Sequence, residues 1–385
     1  MVSTVWHYRK PVIINTSQAY SEGLTEYVVM FKVHYGEGID NPSTHELYLG
    51  GKSSGDFRDV RFTDDRGVLL PYWVESFSFE DYALVWVRMP VKGSTTTIYI
   101  YYGNPDVEYE GDAGKVFIMF DGFETLSELW KGLYTCLSSM VPNPAGISVE
   151  EGWLKFGGFD VCGVAYYDNP IPIPTSGVAF ETLINFVYVP PNCDLTLFGI
   201  YPSKDDLLNG TNLIARTGVV SWENHYWYIY TMSGDAVSGS YLYGGQVGVI
   251  RLSFRVGKSR TSLYHNWGEV VSTDRYLELP NQVYMVLVGS GADNWLMDYR
   301  FDWVAVRPYV YPEPNAVSVG VEELDPTTQP SYTVEEGGGG GGGGGGGVTT
   351  QPTVTAVNLS WLWWLVALVS VFIIVKALLE ALRRK

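Results

Sequence analysis

Before Glu323 the chain is a succession of short runs in which β-branched and aromatic residues alternate with polar ones. The run TTTIYIYY at 95–102 has the two-residue period of a half-buried strand. No stretch in this region holds a helical period for more than a few turns. DVRFTDDRGVLLPYWVESF reads as a strand, a turn at Asp65-Arg66-Gly67 and a second strand. TSLYHNWGEVVS reads as a hairpin turning at Asn266-Trp267-Gly268. Short strands at this spacing, punctuated by Gly and Pro, predict an all-β fold of two β-sandwich (jelly-roll-like) domains. The break falls in YYGNPDVEYEGDAGK, which divides the region into 1–106, a linker at 107–114 and a second unit at 115–322.

Composition narrows the function. The 385 residues are 46% hydrophobic and 17% charged, as expected of a globular chain. The net charge of −17 would repel phosphate backbones, which excludes nucleic acid as a partner class. Tyr 28 and Trp 13 suit β-structure and suit surfaces that stack on sugar rings. Cys136, Cys162 and Cys193 form no C-x-x-C pair, so zinc ribbons and thioredoxin-like chemistry are excluded. A Cys136–Cys162 bridge is the one pairing considered, and the odd count leaves it open.

The C-terminal part has a different character. Leu359 to Val375 carries no charge and contains eleven Leu, Val, Ile or Phe residues. On an insertion scale these favour a spanning helix by roughly 3–7 kcal/mol. The expected transmembrane helix covers 358–376, with Trp361, Trp363 and Trp364 at one interface and a basic tail, 377–385, at the other. The basic end belongs in the cytoplasm or a virion interior, which places the N-terminal head outside. MVSTVWHYRKPVIIN lacks the apolar h-region of a secretory signal, in conflict with that orientation. An upstream start, an unconventional route or a cytoplasm-facing tail anchor would each resolve it; the charge asymmetry favours outward display. Between head and helix lies a linker, 323–357, with Pro/Thr flanks and the poly-Gly run Gly337 to Gly347. As a flexible coil that run spans about 18–20 Å.

The first unit resembles domain of unknown function 2341, through WHYRKPVII, DVRFTDDRGVLLPYWVES, ALVWVRMP and TTTIYIYYGNP. The resemblance implies a surface protein of archaeal or bacterial kind with no assigned reaction. VFIMFDGFETLSELW and MDYRFDWVAVRPYVYPEPNAVSVGVEE are similar to the opening and closing of a concanavalin A-like lectin/glucanase domain. That likeness implies a jelly-roll sandwich and a tendency toward glycan binding.

A glucanase would need paired carboxylates about 5–5.5 Å apart on a rigid strand. The one alternating acidic run, Glu108-Tyr109-Glu110-Gly111-Asp112, falls in the linker and reads as a solvated segment, so no catalytic residue is assigned. His7, His34, His45, His225 and His265 show no metal or triad spacing. A structural calcium ion, which takes about six to eight oxygens, is the candidate metal, with Asp121 and Glu124 opening the second unit and Asp298 and Asp302 on its final strand. These acids also read as plain turn or edge residues. In SWENHYWYIY a strand puts Trp222, Asn224, Tyr226, Tyr228 and Tyr230 on one face and His225, Trp227 and Ile229 on the other. The first face and the turn residue Trp267 are the glycan-binding candidates, against the alternative that the strip is core. Asn15 and Asn209 are glycosylation candidates, whereas Asn358 sits too near the bilayer.

The expected function is that of a non-enzymatic, membrane-anchored surface protein whose head contacts glycans or neighbouring envelope proteins, in a cell or an archaeal-virus envelope. A homo-oligomer would raise weak affinities through multivalency. The alternatives are a glycoside-active enzyme using the second sandwich, and a purely structural spike or lattice protein.

Overall fold

The computed structural model describes residues 5–136, 139–142, 147–156, 162–188, 195–221, 225–242, 248–289 and 298–331. The chain divides into two compact units, Met1–Thr333 and Val334–Lys385. The glycine run and the expected transmembrane helix fall in the second, outside the described residues. Among the described residues no helix is long and apolar enough to cross a membrane.

Strands are numbered β1 to β26 in chain order. One sheet runs β25 (Asn315–Val319), β1 (Tyr8–Asn15), β7 (Thr95–Tyr102), β4 (Arg61–Asp64), with β26 (Glu323–Leu324) also on β1. A four-stranded sheet runs β3 (Glu46–Tyr48), β2 (Glu26–His34), β6 (Tyr82–Pro90), β5 (Tyr72–Ser78). Between them lies a core that includes Val12, Phe31, Phe62, Val85 and Ile100. An eight-stranded sheet runs β11 (Ile147–Glu150), β12 (Trp153–Phe156), β24 (Asp298–Pro308), β15 (Gly177–Tyr188), β20 (Gly248–Gly257), β21 (Thr261–His265), β22 (Gly268–Thr273), with β8 (Met119–Asp121) on β24. A nine-stranded sheet runs β10 (Ser139–Pro142), β9 (Trp130–Cys136), β13 (Cys162–Tyr167), β23 (Gln282–Gly289), β16 (Leu195–Tyr201), β17 (Ala215–Ser221), β18 (His225–Thr231), β19 (Gly234–Leu242), with β14 (Ile171–Pro172) on β23. These two enclose a second core around Phe180, Phe198, Trp227 and Phe254. The described helices are short: α1 (Ser17–Ser21), α2 (Ala113–Val116) and α3 (Lys204–Asn209).

The expected mostly β architecture of sandwich-like sheets is present, and chain from beyond 322 contributes to the first pair of sheets. After β24 the chain returns to the first sandwich. There β25 and β26 pair with β1, Ser331 bridges to Val68, and Val310 and Ala316 enter the first core. The return is a tertiary pairing with no local signature, so composition shifts could not reveal it. The turn at Gly67 also forms, with the Asp64 carboxylate accepting from the amides of Arg66 (2.9 Å) and Val68 (3.0 Å). The chain just after it folds back on β4 through the Thr63–Leu69 bridge, and the second strand, β5, then pairs with β6 in the facing sheet.

Two of the quoted family segments meet physically. Asp59 of DVRF is fully buried, and its carboxylate accepts from the amides of Ser54 (2.9 Å), Gly103 (2.8 Å) and Asn104 (3.1 Å). Gly103, of YYGNP, sits at φ +82°, where a Cβ would lie 2.5 Å from the Tyr8 ring. A buried carboxylate needs several donors to offset lost hydration, and this turn supplies two of them.

The four-stranded and eight-stranded sheets pack against each other through their outer faces. Val28, Trp86, Trp303 and Ala305 form one buried cluster with Ala113 and Val116 of α2 and the following Phe117, and Trp73 meets Trp303 edge-to-face at 5.4 Å. Beside it Arg307 bonds Glu181 through Nε (2.9 Å) and Nη2 (2.8 Å), and Glu313 through Nη1 (2.5 Å). Glu313 also takes Arg255 (2.5 Å) and the Tyr27 hydroxyl of the first sandwich (2.8 Å). Although burial alone would raise it, the two guanidiniums pull the Glu313 carboxyl down to about 2. Removing one member of such a buried network strands the others. Arg307→Ala should therefore cost on the order of 3–5 kcal/mol in urea unfolding of the full chain, and a loss below about 1 kcal/mol would contradict the network's role.

His45 makes the return segment sensitive to pH. Its Nδ1 lies 3.0 Å from the Met30 carbonyl and its Nε2 accepts from the Ala316 amide at 3.0 Å. Only the neutral ring with hydrogen on Nδ1 satisfies both. Burial lowers its pKa below 6.5, and Glu313 opposes weakly; Lys32 and Glu46 flank it on β2 and β3. A depressed folded-state value means stability is full above about pH 6.5 and is lost as pH falls through the folded value. His34 and His265 are lowered by burial too, so the whole effect will not vanish with one residue. Calorimetry at pH 7.5 and 5.5 should show a smaller drop in melting temperature for His45→Gln than for the parent chain.

Candidate functional site

The packing of the four sheets decides which surface is free. The four-stranded sheet is covered on both faces, and the eight-stranded sheet gives its outer face to the seam around Trp303 and Arg307. The outer face of the nine-stranded sheet belongs to neither core. Its inward residues are Ala165, Ala215, Trp227, Ile229, Met285 and Leu287, all in the second core. The alternating positions point away from it.

On that outer face the registers align Tyr166, Val286, Gly199, Arg216 and Tyr230 in one row across five adjacent strands. Tyr284 stands opposite Tyr201 one step away. The middle of the row is roofed by α3, whose Leu207 packs with Val164, Tyr166 and Val286. The helix is set by Ser203, whose hydroxyl accepts from the Asp206 amide at 3.0 Å, and ends at Gly210 in the left-handed region at φ 66°. Lys204 pairs with Asp168 and lies 5.9 Å from the centre of the Tyr166 ring. Beyond this roof the face opens at β17 and β18.

There Arg216 is exposed, 5.2 Å from the Tyr230 ring centre and 5.9 Å from that of Tyr228. Tyr201 completes the group: burial raises its phenol while Arg216 pulls it down. Gly199, between Val286 and Arg216 in the row, is itself buried. A Cβ there would meet Val286 at 2.9 Å, Leu213 at 3.6 Å and the Arg216 Cβ at 3.8 Å, so these side chains close over the glycine. Phenol groups that donate and accept, ring faces and one guanidinium are the equipment of a polyhydroxylated-ligand surface.

The strip expected in SWENHYWYIY is partly of this kind. Trp227 (1% exposed) and Ile229 (0%) fill the core, and Tyr226, Tyr228 and Tyr230 take the opposite phase. Tyr226 and Tyr230 are half-buried, but Tyr228 is buried at 8%, so the strip is not a flat open platform. Trp222 and Asn224 lie outside the described residues. Trp267 forms the expected two-residue turn with Asn266, both at positive φ, and is 48% exposed. Its ring lies 4.3 Å from the Arg251 guanidinium, itself buried at the seam and ion-paired with Glu75. The turn tryptophan thus has a packing partner that its position in the sequence did not suggest. Arg216, Tyr201, Tyr166 and Tyr284 were missed. A bulge around Leu197 buries Leu197 and Phe198 consecutively, which breaks the alternation that would have exposed Tyr201.

The other candidates are placed as follows. β8 and β24 do pair, with Asp121 opposite Val304. Asp121 is occupied, however, accepting from the Phe123 amide and the Trp130 indole, both at 2.8 Å. Asp302 lies at a bulge of β24, where burial and the nearby Glu124 raise its pKa. The side chain of Asp298 is outside what is described. Among the described residues no three His, Cys, Asp or Glu side chains converge on a metal position. Glu108 and Glu110 lie on coil against the first sandwich: the Glu108 carbonyl accepts from Arg61, and the Glu110 carboxylate is 3.5 Å from it. Asn15 and Asn209 are both exposed. Register places Thr135 opposite Cys162 and Ser139 opposite Cys136, so the two cysteines are not cross-strand partners.

A raised carboxyl is a destabilising charge at neutral pH: its stabilising contribution is present at acid pH and lost as pH rises through the folded value. Asp302→Asn should therefore raise the melting temperature at pH 7 in EDTA. If calcium binds at Glu124 and Asp302, adding it should raise the parent's melting temperature and leave the variant's unchanged.

Comparison with known proteins gives one family match: residues 56–132 match the Domain of unknown function (DUF2341), from β4 through β8 to the start of β9. No curated protein matches the chain. Among solved structures, the chain is similar to a β-1,3-glucanase from Mycobacterium marinum at 11% identity, covering 49% of this chain and 98% of that one, with a TM-score of 0.36. It is likewise similar to the metal-free lectin I-B4 from Griffonia simplicifolia at 11% identity, covering 53% and 99%, with a TM-score of 0.37.

Proposed function

We propose that this chain is a non-enzymatic, membrane-anchored surface protein that recognises glycans through the outer face of its nine-stranded sheet. One observation carries the recognition: the open flank at β17 and β18, where Tyr201, Tyr228 and Tyr230 surround an exposed Arg216. Half-buried phenols are held in place by packing, so little side-chain entropy is lost when they bind. A sugar offers such a surface an apolar ring face and a fan of hydroxyls. The anchoring part rests on the uncharged stretch 359–375 and the basic residues after it. The eleven-glycine run before it would let the head reorient toward a ligand.

The non-enzymatic reading is supported by the fate of the acidic linker, whose Glu108 and Glu110 are coil residues tied to Arg61 rather than a pair on a rigid strand. On a glycan array the purified full chain should bind a subset of glycans, and Tyr230→Ala should weaken that binding at least tenfold with its melting temperature unchanged. A uniformly blank array would defeat the reading, and release of reducing ends would replace it with a hydrolase. Orientation is checked separately: membrane-impermeant amine and tyrosine reagents applied to intact cells should label the head, and labelling of Lys385 with the head spared would reverse the assignment.

A further inference from the structure

The geometry points to uronate-bearing glycans as the ligand class of this face, an inference that rests on the glycan-binding reading above and narrows it. On a chain of net charge −17, most exposed cations have a carboxylate beside them. Lys52 is bound to Glu322, Arg66 to Asp64, Lys92 to Asp65 and Lys115 to Asp112. Among the described residues Lys131, Arg216 and Arg275 depart from that pattern, and of these Arg216 is the one set against tyrosine rings. It is exposed, and among the described residues its neighbours are tyrosine rings, with no carboxylate within ion-pair distance. The acid nearest in its row is Asp235, which stands opposite Tyr230 on the far side of that ring, two strands and about 10 Å away.

The guanidinium makes no ion pair among the described residues, so its contacts with the fold are those with the Tyr228 and Tyr230 rings. What the position offers is recognition. A guanidinium is planar, permanently charged and able to donate two parallel hydrogen bonds to a carboxylate. Packing against Tyr228 and Tyr230 limits its rotamers and leaves its edge toward solvent. The phenols of Tyr201 and Tyr230 then lie on either side for the remaining hydroxyls. A neutral sugar would use the rings and phenols and leave the charge unanswered; a uronate uses all of them.

The test is binding of the purified full chain to linear polyuronates (galacturonan, mannuronan and glucuronoxylan), each beside its carboxyl-reduced counterpart. The chain should prefer at least one acidic form by tenfold or more, with affinity that falls as salt is raised. Arg216→Gln should abolish that preference with the melting temperature unchanged. Arg216→Lys, which keeps the charge but not the paired donors, should retain only part of it. The inference fails if every reduced glycan binds as well as its acidic parent, if Arg216→Gln keeps the preference, or if sulfated glycans are selected with indifference to carboxyl reduction. Binding of neutral glycans alone would remove the uronate assignment and leave glycan recognition standing. Absence of binding to acidic and neutral glycans alike would remove both.

Discussion

The buried network around Arg307 is the interaction on which the rest of the first compact unit depends. Two guanidiniums, two carboxylates and a phenol are taken out of water where the four-stranded and eight-stranded sheets meet. Each charge is tolerable only because the others answer it, since an isolated buried ion would cost several kcal/mol. The network therefore tolerates little relative movement of the two sheets, and it sits beside an aromatic cluster of Trp73, Trp86, Phe117 and Trp303 that supplies the apolar burial. Apolar contact brings the sheets together, and the ion pairs set how they register.

That seam has a functional consequence. It consumes the outer face of the eight-stranded sheet and with it one side of Trp267, whose ring covers the buried Arg251. The outer face of the nine-stranded sheet is left as the broad surface on which a ligand can lie. There α3 roofs the middle and the flank at β17 and β18 stays open, so the exposed guanidinium and its tyrosines form the accessible part. The return segment adds a second constraint. Arg9 and Glu323 bond across 314 positions of sequence, so the first sandwich is complete only when the chain beyond the second has been made. Such non-local pairing is slow to form and cooperative once formed.

Much of the local structure was legible in the residues. The alternation of TTTIYIYY, the Asp-Arg-Gly turn, the Asn-Trp hairpin and the opposite phases of Trp227 and Tyr228 all follow from strand periodicity and turn chemistry. The pairing of β8 with β24 also agrees with expectation. The candidate site was legible only in part. Tyr230 and Tyr228 were found by phase, but Tyr201 was hidden by the bulge at Leu197. Arg216 was hidden because a lone arginine in ARTG carries no mark of whether an acid will sit beside it. Asp121 looked like a free oxygen ligand, yet Phe123 and Trp130 claim both its oxygens.

By itself, then, the sequence determined the strands, their turns, the side of each strand that is apolar, and the boundary between a β-rich head and a glycine-tethered apolar tail. These depend on interactions within a few residues, which a linear pattern records directly. Only the tertiary structure decided that β25 and β26 belong to the first sandwich, that Trp267 covers an arginine, and which sheet face stays open around Arg216. Those outcomes turn on which strands meet across hundreds of residues and which charges end up paired. A linear pattern holds the groups but not their distances.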